Sequence, residues 1–220
     1  MFIGHFAAGL AAKKISPKTP LPLLVIGVQL VDLLWPLFVL IGWERVAIVP
    51  GDTAVTPLEF LSYPITHSFV TNVVWGLAFG AIVYAFRRDR NEFWLLAGLV
   101  VSHWVLDVLA HRPDMPIVPG WDVKIGLGLW NSLPATLVVE FGSLAAGTAV
   151  YLSVTKAKDR VGVYAFWGFI AFLVVSYLGN LFGPPPPSVQ AIGILGNAMW
   201  LLVLWAWWIE RHRAEKTATD

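Results

Sequence analysis

The chain contains no cysteine and very little charge. Of its 220 residues only 13% are Asp, Glu, Lys or Arg, whereas 57% are hydrophobic. Soluble domains carry about a quarter charged residues, so this chain has too few to cover a water-soluble globule. The absence of cysteine excludes disulfides and thiolate metal sites. A net charge of +1 gives no basic surface for a nucleic acid, and we expect no such partner.

In place of charge the chain has long apolar runs. A helix needs about 20 predominantly apolar residues to cross the hydrocarbon of a bilayer. Six stretches satisfy this: residues 21–42, 68–86, 93–110, 133–155, 161–182 and 189–209. Since unpaired backbone groups are costly in lipid, each stretch is predicted to be a helix. We therefore predict a single domain over residues 1–220, an all-α polytopic transmembrane helical bundle with six spans, surrounded by membrane lipids.

Basic residues are concentrated in alternate connections between the predicted spans. They cluster in residues 13–18, 87–90, 156–160 and 211–216. By the positive-inside rule these segments are predicted to be cytoplasmic. The remaining connections, residues 43–66, 111–132 and 184–187, are then predicted to face outward, and both termini to face the cytoplasm.

The N-terminal segment, residues 2–12, is apolar but too short to cross the membrane. It is either an interfacial helix or a re-entrant helix that is buried among the spans, with Lys13 and Lys14 at the cytoplasmic surface. His5 enters the interior of the bundle only in the second case.

Three carboxylates lie inside the predicted spans: Asp32, Asp107 and Glu140. A charged group at the bilayer centre costs about 2.5–3.5 kcal/mol on insertion scales, and such groups usually face the bundle interior and serve a function. At about 1.5 Å per residue, these acids lie roughly 6 to 15 Å below the outer ends of their helices. Together with histidines at similar depth or at the rim, they are predicted to line one funnel that opens outward.

The most informative pattern in this funnel is His103, Asp107 and His111, spaced four residues apart. This spacing places all three side chains on one stripe of a helix. The HxxxD pair then presents an imidazole nitrogen and a carboxylate oxygen to one point, which suits zinc. The alternative is a His–Asp hydrogen bond that holds two helices together.

The other polar residues of the funnel also allow more than one interpretation. His67, predicted in the first turn of a helix that begins near Pro64, is either a metal ligand or an interfacial imidazole in water. Glu140 is predicted two turns below a helix N-terminus, as a ligand, a general base or a protonated, hydrogen-bonded acid. Arg112 could hold a phosphate-like group or pair with Asp114.

The layout of these motifs resembles a known family. Gly4-His5, Asp32 in the first span, Thr66-His67-Ser68 and the His103–Asp107 pair occur in the order seen in YdjM-like proteins, described as membrane-bound metal-dependent hydrolases. The resemblance covers roughly residues 1–140. The chain differs in having Leu34 where the family often has a second aspartate, and Tyr63-Pro64-Ile65 where an arginine often precedes the Thr-His-Ser.

The resemblance implies a multi-pass protein of the bacterial inner membrane that holds a divalent metal and catalyses hydrolysis. The family is thought to be distantly related to zinc-dependent phospholipase C and P1 nuclease, which implies phosphoester chemistry by analogy.

The sequence therefore predicts a metal-dependent hydrolase that acts on an amphiphilic substrate, a lipid or lipid-linked phosphoester, at the outer face. The metal, zinc or alternatively manganese, would be held by His103 and Asp107 with His67 and with Asp32 or His5. Glu140 or His111 would accept a proton, and Arg112 would hold the phosphate. Two alternatives are an ion- or proton-coupled transporter and a non-catalytic scaffold whose polar residues join helices.

Overall fold

A computed structural model describes residues 1–216 of the chain. It confirms the predicted all-α bundle of a multi-pass membrane protein, with six helical segments long and apolar enough to span a membrane. These are α2 (Leu21–Leu40), α4 (Phe69–Arg87), α5 (Arg90–Ala110), α6 (Leu133–Val154), α7 (Arg160–Phe182) and the pair α8 (Val189–Asn197) and α9 (Trp200–His212).

The shorter elements lie at the N-terminus and in the connections. They are α1 (Ile3–Ile15), α3 (Pro64–His67), a 3₁₀ helix (Leu129–Asn131), and the strands β1 (Arg45–Ile48), β2 (Leu58–Ser62), β3 (Met115–Pro116), β4 (Lys124–Ile125), β5 (Thr155–Ala157) and β6 (Arg213–Glu215). The strands pair in sequence order as three antiparallel two-stranded ribbons.

Polar residues at the loop–helix junctions fix where most of the spans begin. An N-cap side chain accepts a hydrogen bond from a backbone N–H that the helix itself leaves unpaired. Ser132 does so for α6 by accepting from the Ala135 N–H. The caps of α4, α5, α7 and α8 are Ser68, Asp89, Asp159 and Ser188.

The sixth span runs over Val189–His212, which confirms the span predicted over residues 189–209. Between α8 and α9 the helix tightens locally, where the N–H of Ala198 donates to the Leu195 carbonyl at 3.0 Å. This bond spans three residues, as in a 3₁₀ helix. At Gly193 and Gly196 there is no room for a Cβ atom, because Leu40 and Pro36 of α2 pack directly against them.

Helix α1 lies inside the bundle, which settles its two interpretations in favour of burial. Ile3, Phe6 and Leu10 are almost completely buried in the main hydrophobic core. Helix α6 approaches α1 closely because Gly147, whose Cβ would clash with the backbone of Ala7, leaves space for it. At the other end of α1, the Lys13 ammonium donates to Glu210 at 2.9 Å.

The connection between α2 and α3 folds into the hairpin β1–β2. Its residues Val46 and Phe60 pack with Trp35, Tyr63 and Met115 in a hydrophobic cluster. Because Tyr63 and Phe60 also contact the rings of His67 and His111, the hairpin covers one end of the bundle where the predicted site residues lie.

Candidate metal centre

Four predicted site residues converge on one point from three helices. They are Asp32 of α2, His67 of α3, and His103 and Asp107 of α5. Two imidazole nitrogens and two carboxylate oxygens of these residues alternate around a four-atom ring, which is called the ring below. His67 Nε2 lies 3.2 Å from Asp32 Oδ1 and 3.7 Å from Asp107 Oδ2. His103 Nε2 lies 3.6 Å from Asp32 Oδ1 and 3.1 Å from Asp107 Oδ2.

These four distances are close to the spacing of ligand atoms around a metal ion. Zinc binds histidine nitrogen and carboxylate oxygen at about 2.0–2.2 Å in a tetrahedral arrangement, which places neighbouring ligand atoms about 3.3–3.6 Å apart. The four separations in the ring, 3.1 to 3.7 Å, lie within about 0.2 Å of this range.

The hydrogen bond of His103 Nδ1 determines that the Nε2 atom of this residue faces the ring without a proton. Its Nδ1 lies 2.6 Å from the backbone carbonyl of Val28. A carbonyl only accepts, so Nδ1 carries the proton and donates. Nε2 then has a lone pair, and it makes no hydrogen bond within the described residues, although Asp107 Oδ2 is 3.1 Å away.

His67 is also oriented with its Nε2 toward the ring, by a chain of hydrogen bonds that runs from Glu44 through Thr66 to His67. The Glu44 carboxylate accepts the hydroxyl proton of Thr66 at 2.6 Å, and also two backbone N–H groups. The Thr66 oxygen, 2.6 Å from His67 Nδ1, must then accept from that nitrogen, because its only proton is already donated. This leaves the lone pair of His67 on Nε2, facing the ring.

The ring thus brings two imidazole lone pairs against two carboxylates. Lone pairs and carboxylate oxygens repel each other unless a cation lies between them or each imidazole takes a second proton. A carboxylate or carbonyl that holds the far nitrogen of a ligating histidine is the usual outer partner of a metal site. Asp32, His67 and His103 offer ligand atoms that all lie within 4.8 Å of one another, and this donor set fits a divalent ion such as zinc.

His5 reaches this cluster because α1 is buried. Its Nε2 lies 3.0 Å from Asp107 Oδ1, and its ring stacks on His103 with centroids 3.7 Å apart. The amino group of Met1 bonds to the same oxygen of Asp107. His5, His103 and Asp107 also have the spacing of a three-ligand site. Since His103 has one free lone pair, this set and the ring cannot both use it, so together they could hold only one ion through His103.

Glu140 lies beside the cluster, but both oxygens of its carboxylate accept hydrogen bonds from the N-terminus of α1. One oxygen accepts from the Phe2 N–H at 2.9 Å and the other from the Gly4 N–H at 2.7 Å. A carboxylate in this position caps the helix and complements its positive N-terminal dipole. The sequence predicted Glu140 as a base, a ligand or a protonated acid. It did not predict that Glu140 caps α1.

His111 is held by a second acid–imidazole pair. Its Nδ1 is 3.0 Å from Asp114 Oδ1, which also accepts the Tyr63 hydroxyl proton at 2.8 Å. Burial lowers the pKa of the His111 imidazole. Burial alone would raise the pKa of Asp114, but hydrogen bonds from His111 and Tyr63 outweigh it and lower that pKa. His111 is therefore a neutral ring at pH 7, with the proton on Nδ1.

Arg112 is surrounded by acids and does not line the cavity beside the cluster. It forms ion pairs with Asp52, with Asp114 at 3.3 Å and with Glu59 at 3.5 Å. The pair with Asp114 is the second of the two predicted interpretations. With its charge already balanced, Arg112 fits the role of joining loop 49–57 to the end of α5 better than that of binding phosphate.

A cavity of about 140 Å³ opens beside the ring. Asp32, His67, Asp107 and His111 line it, as does Trp35, whose indole N–H has no hydrogen-bond partner among residues 1–216. The Asp32 side chain, 22% exposed, is the most accessible of the four ring residues. A polar group in this cavity would meet residues of the ring and the His111 imidazole.

No protein-family model, curated protein or solved structure matches this chain. The resemblance to the YdjM-like proteins therefore stays a prediction, and function has to be inferred from the geometry of the site.

Proposed function

We propose that the protein is a single-metal hydrolase that cleaves a phosphoester of a membrane amphiphile. The observation that carries the proposal is the ring of Asp32, His67, His103 and Asp107, in which two imidazole lone pairs face two carboxylates at ligand spacing. A divalent ion, zinc or manganese, supplies Lewis acidity and lowers the pKa of water at such a site.

The residues around the ring supply the remaining chemistry. His111 can accept a proton on Nε2, because its Nδ1 proton is held by Asp114. The imidazolium formed in this way is stabilised by the Asp114 carboxylate 3.0 Å away.

The interior below the ring favours an enzyme over a carrier. The side chains packed around Val28, on the far side of His103 from the cavity, form an apolar cluster that includes Leu24, Leu96 and Leu99. An ion relay needs polar groups along a path to both faces. The cavity lies instead at the end of the bundle that carries the β1–β2 hairpin. We place the outer face of a bacterial inner membrane at this end.

Hydrolysis assays with the purified protein test this proposal. With zinc or manganese present we expect hydrolysis of a phosphatidic acid or of the soluble probe bis(4-nitrophenyl) phosphate. Loss of a general acid–base group typically lowers the rate about 10²- to 10⁴-fold, so His111→Asn should show this loss while metal content stays unchanged. His212→Asn, far from the cavity, is the matched control. Metal-loaded protein that hydrolyses neither probe would contradict the proposal.

A further inference from the structure

A second space adjoins the candidate site. It is an open groove of about 610 Å³ between loop 49–57 and the ends of α7 and α8. Its walls include Val55 and Pro57 of the loop, Leu181 of α7, the prolines at 184–187, and Ile192 and Leu195 of α8. Asp, Glu, Lys, Arg and His are all absent from its lining among the described residues.

The groove and the site cavity share part of their walls. Val55, Thr56, Leu58 and Asn180 line both spaces. One end of the combined space is therefore polar, with the metal ring and His111, and the other end is apolar. A single molecule with a polar head and an apolar tail would match this arrangement.

The sizes of the two spaces agree with that division. The site cavity, about 140 Å³, is smaller than the roughly 300–1,000 Å³ typical of small-molecule sites, whereas the groove, at about 610 Å³, falls within that range. A phosphoester head fits the first space, and a longer chain needs the second.

The groove lies beside two of the candidate spans. Its walls include residues of α7 and α8, which belong to candidate spans, and Ile194 and Leu195 beside it are 64% and 68% exposed. An apolar groove at the ends of two candidate spans suits a hydrocarbon chain from the adjoining bilayer. The prolines at 184–187 form a stiff wall, because consecutive prolines have little conformational freedom.

We propose that this groove binds the hydrocarbon chain of a phospholipid whose phosphoester head occupies the site cavity. The position of the head rests on the proposed function, whereas binding of the chain depends only on the groove. The substrate class is thereby narrowed to lipids with a phosphoester next to a long hydrocarbon chain.

A large side chain in place of a groove glycine can fill the groove without disturbing the fold. A Cβ atom on Gly179 of α7 would meet no other atom within 4 Å, so Gly179→Phe should place its ring in the groove. Gly98→Phe is the matched control, because Gly98 of α5 is equally unobstructed but lies outside the groove.

The test uses a phosphatidic acid with a photoreactive diazirine at the end of one acyl chain, in phosphatidylcholine nanodiscs with zinc-loaded protein. We expect light-induced cross-links at residues 50–57 and 181–195 that saturate with probe concentration. Gly179→Phe should lose most of this labelling and Gly98→Phe should keep it. Uniform labelling of the outer helix surfaces, or full labelling of Gly179→Phe, would overturn the proposal.

Hydrolysis separates this proposal from the proposed function. If the groove is labelled but neither the lipid nor bis(4-nitrophenyl) phosphate is cleaved, the groove assignment stands and the hydrolase assignment fails. If Gly179→Phe cleaves the soluble probe at the wild-type rate and the lipid more slowly, both stand. Equal loss of both activities in Gly179→Phe would contradict a role for the groove in binding the chain.

Discussion

At the scale of single residues, the candidate ligands could be predicted for two reasons. Some are close together in the sequence, and others are charged residues in an apolar span. His103 and Asp107 are one helical turn apart, and Asp32 is an acid in an otherwise apolar span. Glu44, Tyr63 and Asp114 could not be assigned in this way. They lie in polar connections, where charged and aromatic residues are ordinary, and only the fold of the β1–β2 hairpin brings Glu44 to Thr66.

The Glu44–Thr66–His67 chain leads to a prediction about metal affinity. Thr66→Val removes the hydroxyl that fixes the tautomer of His67 and keeps the shape of the side chain. Loss of an outer partner of a ligand typically lowers metal affinity about 10- to 100-fold, and we expect a loss of this size in competition with a chelator. Thr66→Ser keeps the hydroxyl and should bind nearly as tightly as wild type. Equal affinities of the valine and serine variants would contradict the role of this chain.

At the scale of helices, the spans were predictable because length and hydropathy define them. The predicted bounds lie within about three residues of the observed ends in all six spans. The 3₁₀ stretch after Asn197 was not predictable, because no proline marks it. The buried position of α1 depends likewise on its fit against α6.

The contact between α1 and α6 can be tested with two glycines of α6. Gly147→Leu should force α1 away, because a Cβ there would clash with the backbone of Ala7. Overpacking of this kind usually costs about 1–3 kcal/mol, and displacement of His5 and Met1 should also weaken metal retention. The measurements are thermal unfolding in detergent and metal content.

Gly142→Leu is the control for this experiment, since Gly142 is in the same helix and faces open space. If both variants behave like wild type, α1 does not pack against α6.

At the scale of the whole molecule, the positive-inside pattern predicts which face carries the site. The cavity lies at the end of the bundle with the β1–β2 hairpin, which belongs to a connection predicted to face outward. Because the chain has no cysteine, single cysteines report their exposure without background.

In bacterial cells that express the protein, Asp122→Cys should react with a membrane-impermeant maleimide added from outside. Lys158→Cys should react only after the membrane is permeabilised. Both positions are exposed in the structure, so burial does not explain a difference. The reverse pattern would place the site at the cytoplasmic face.

The central claim is that the ring holds one divalent ion. The most direct test is elemental analysis of the detergent-purified protein after incubation with zinc, with wild type beside His103→Ala and His212→Ala. The account predicts about one zinc or manganese ion per chain in wild type and in His212→Ala, because His212 pairs with Asp159 away from the ring. It predicts loss of the ion in His103→Ala. Wild-type protein without metal, or His103→Ala with its full metal content, would contradict the account.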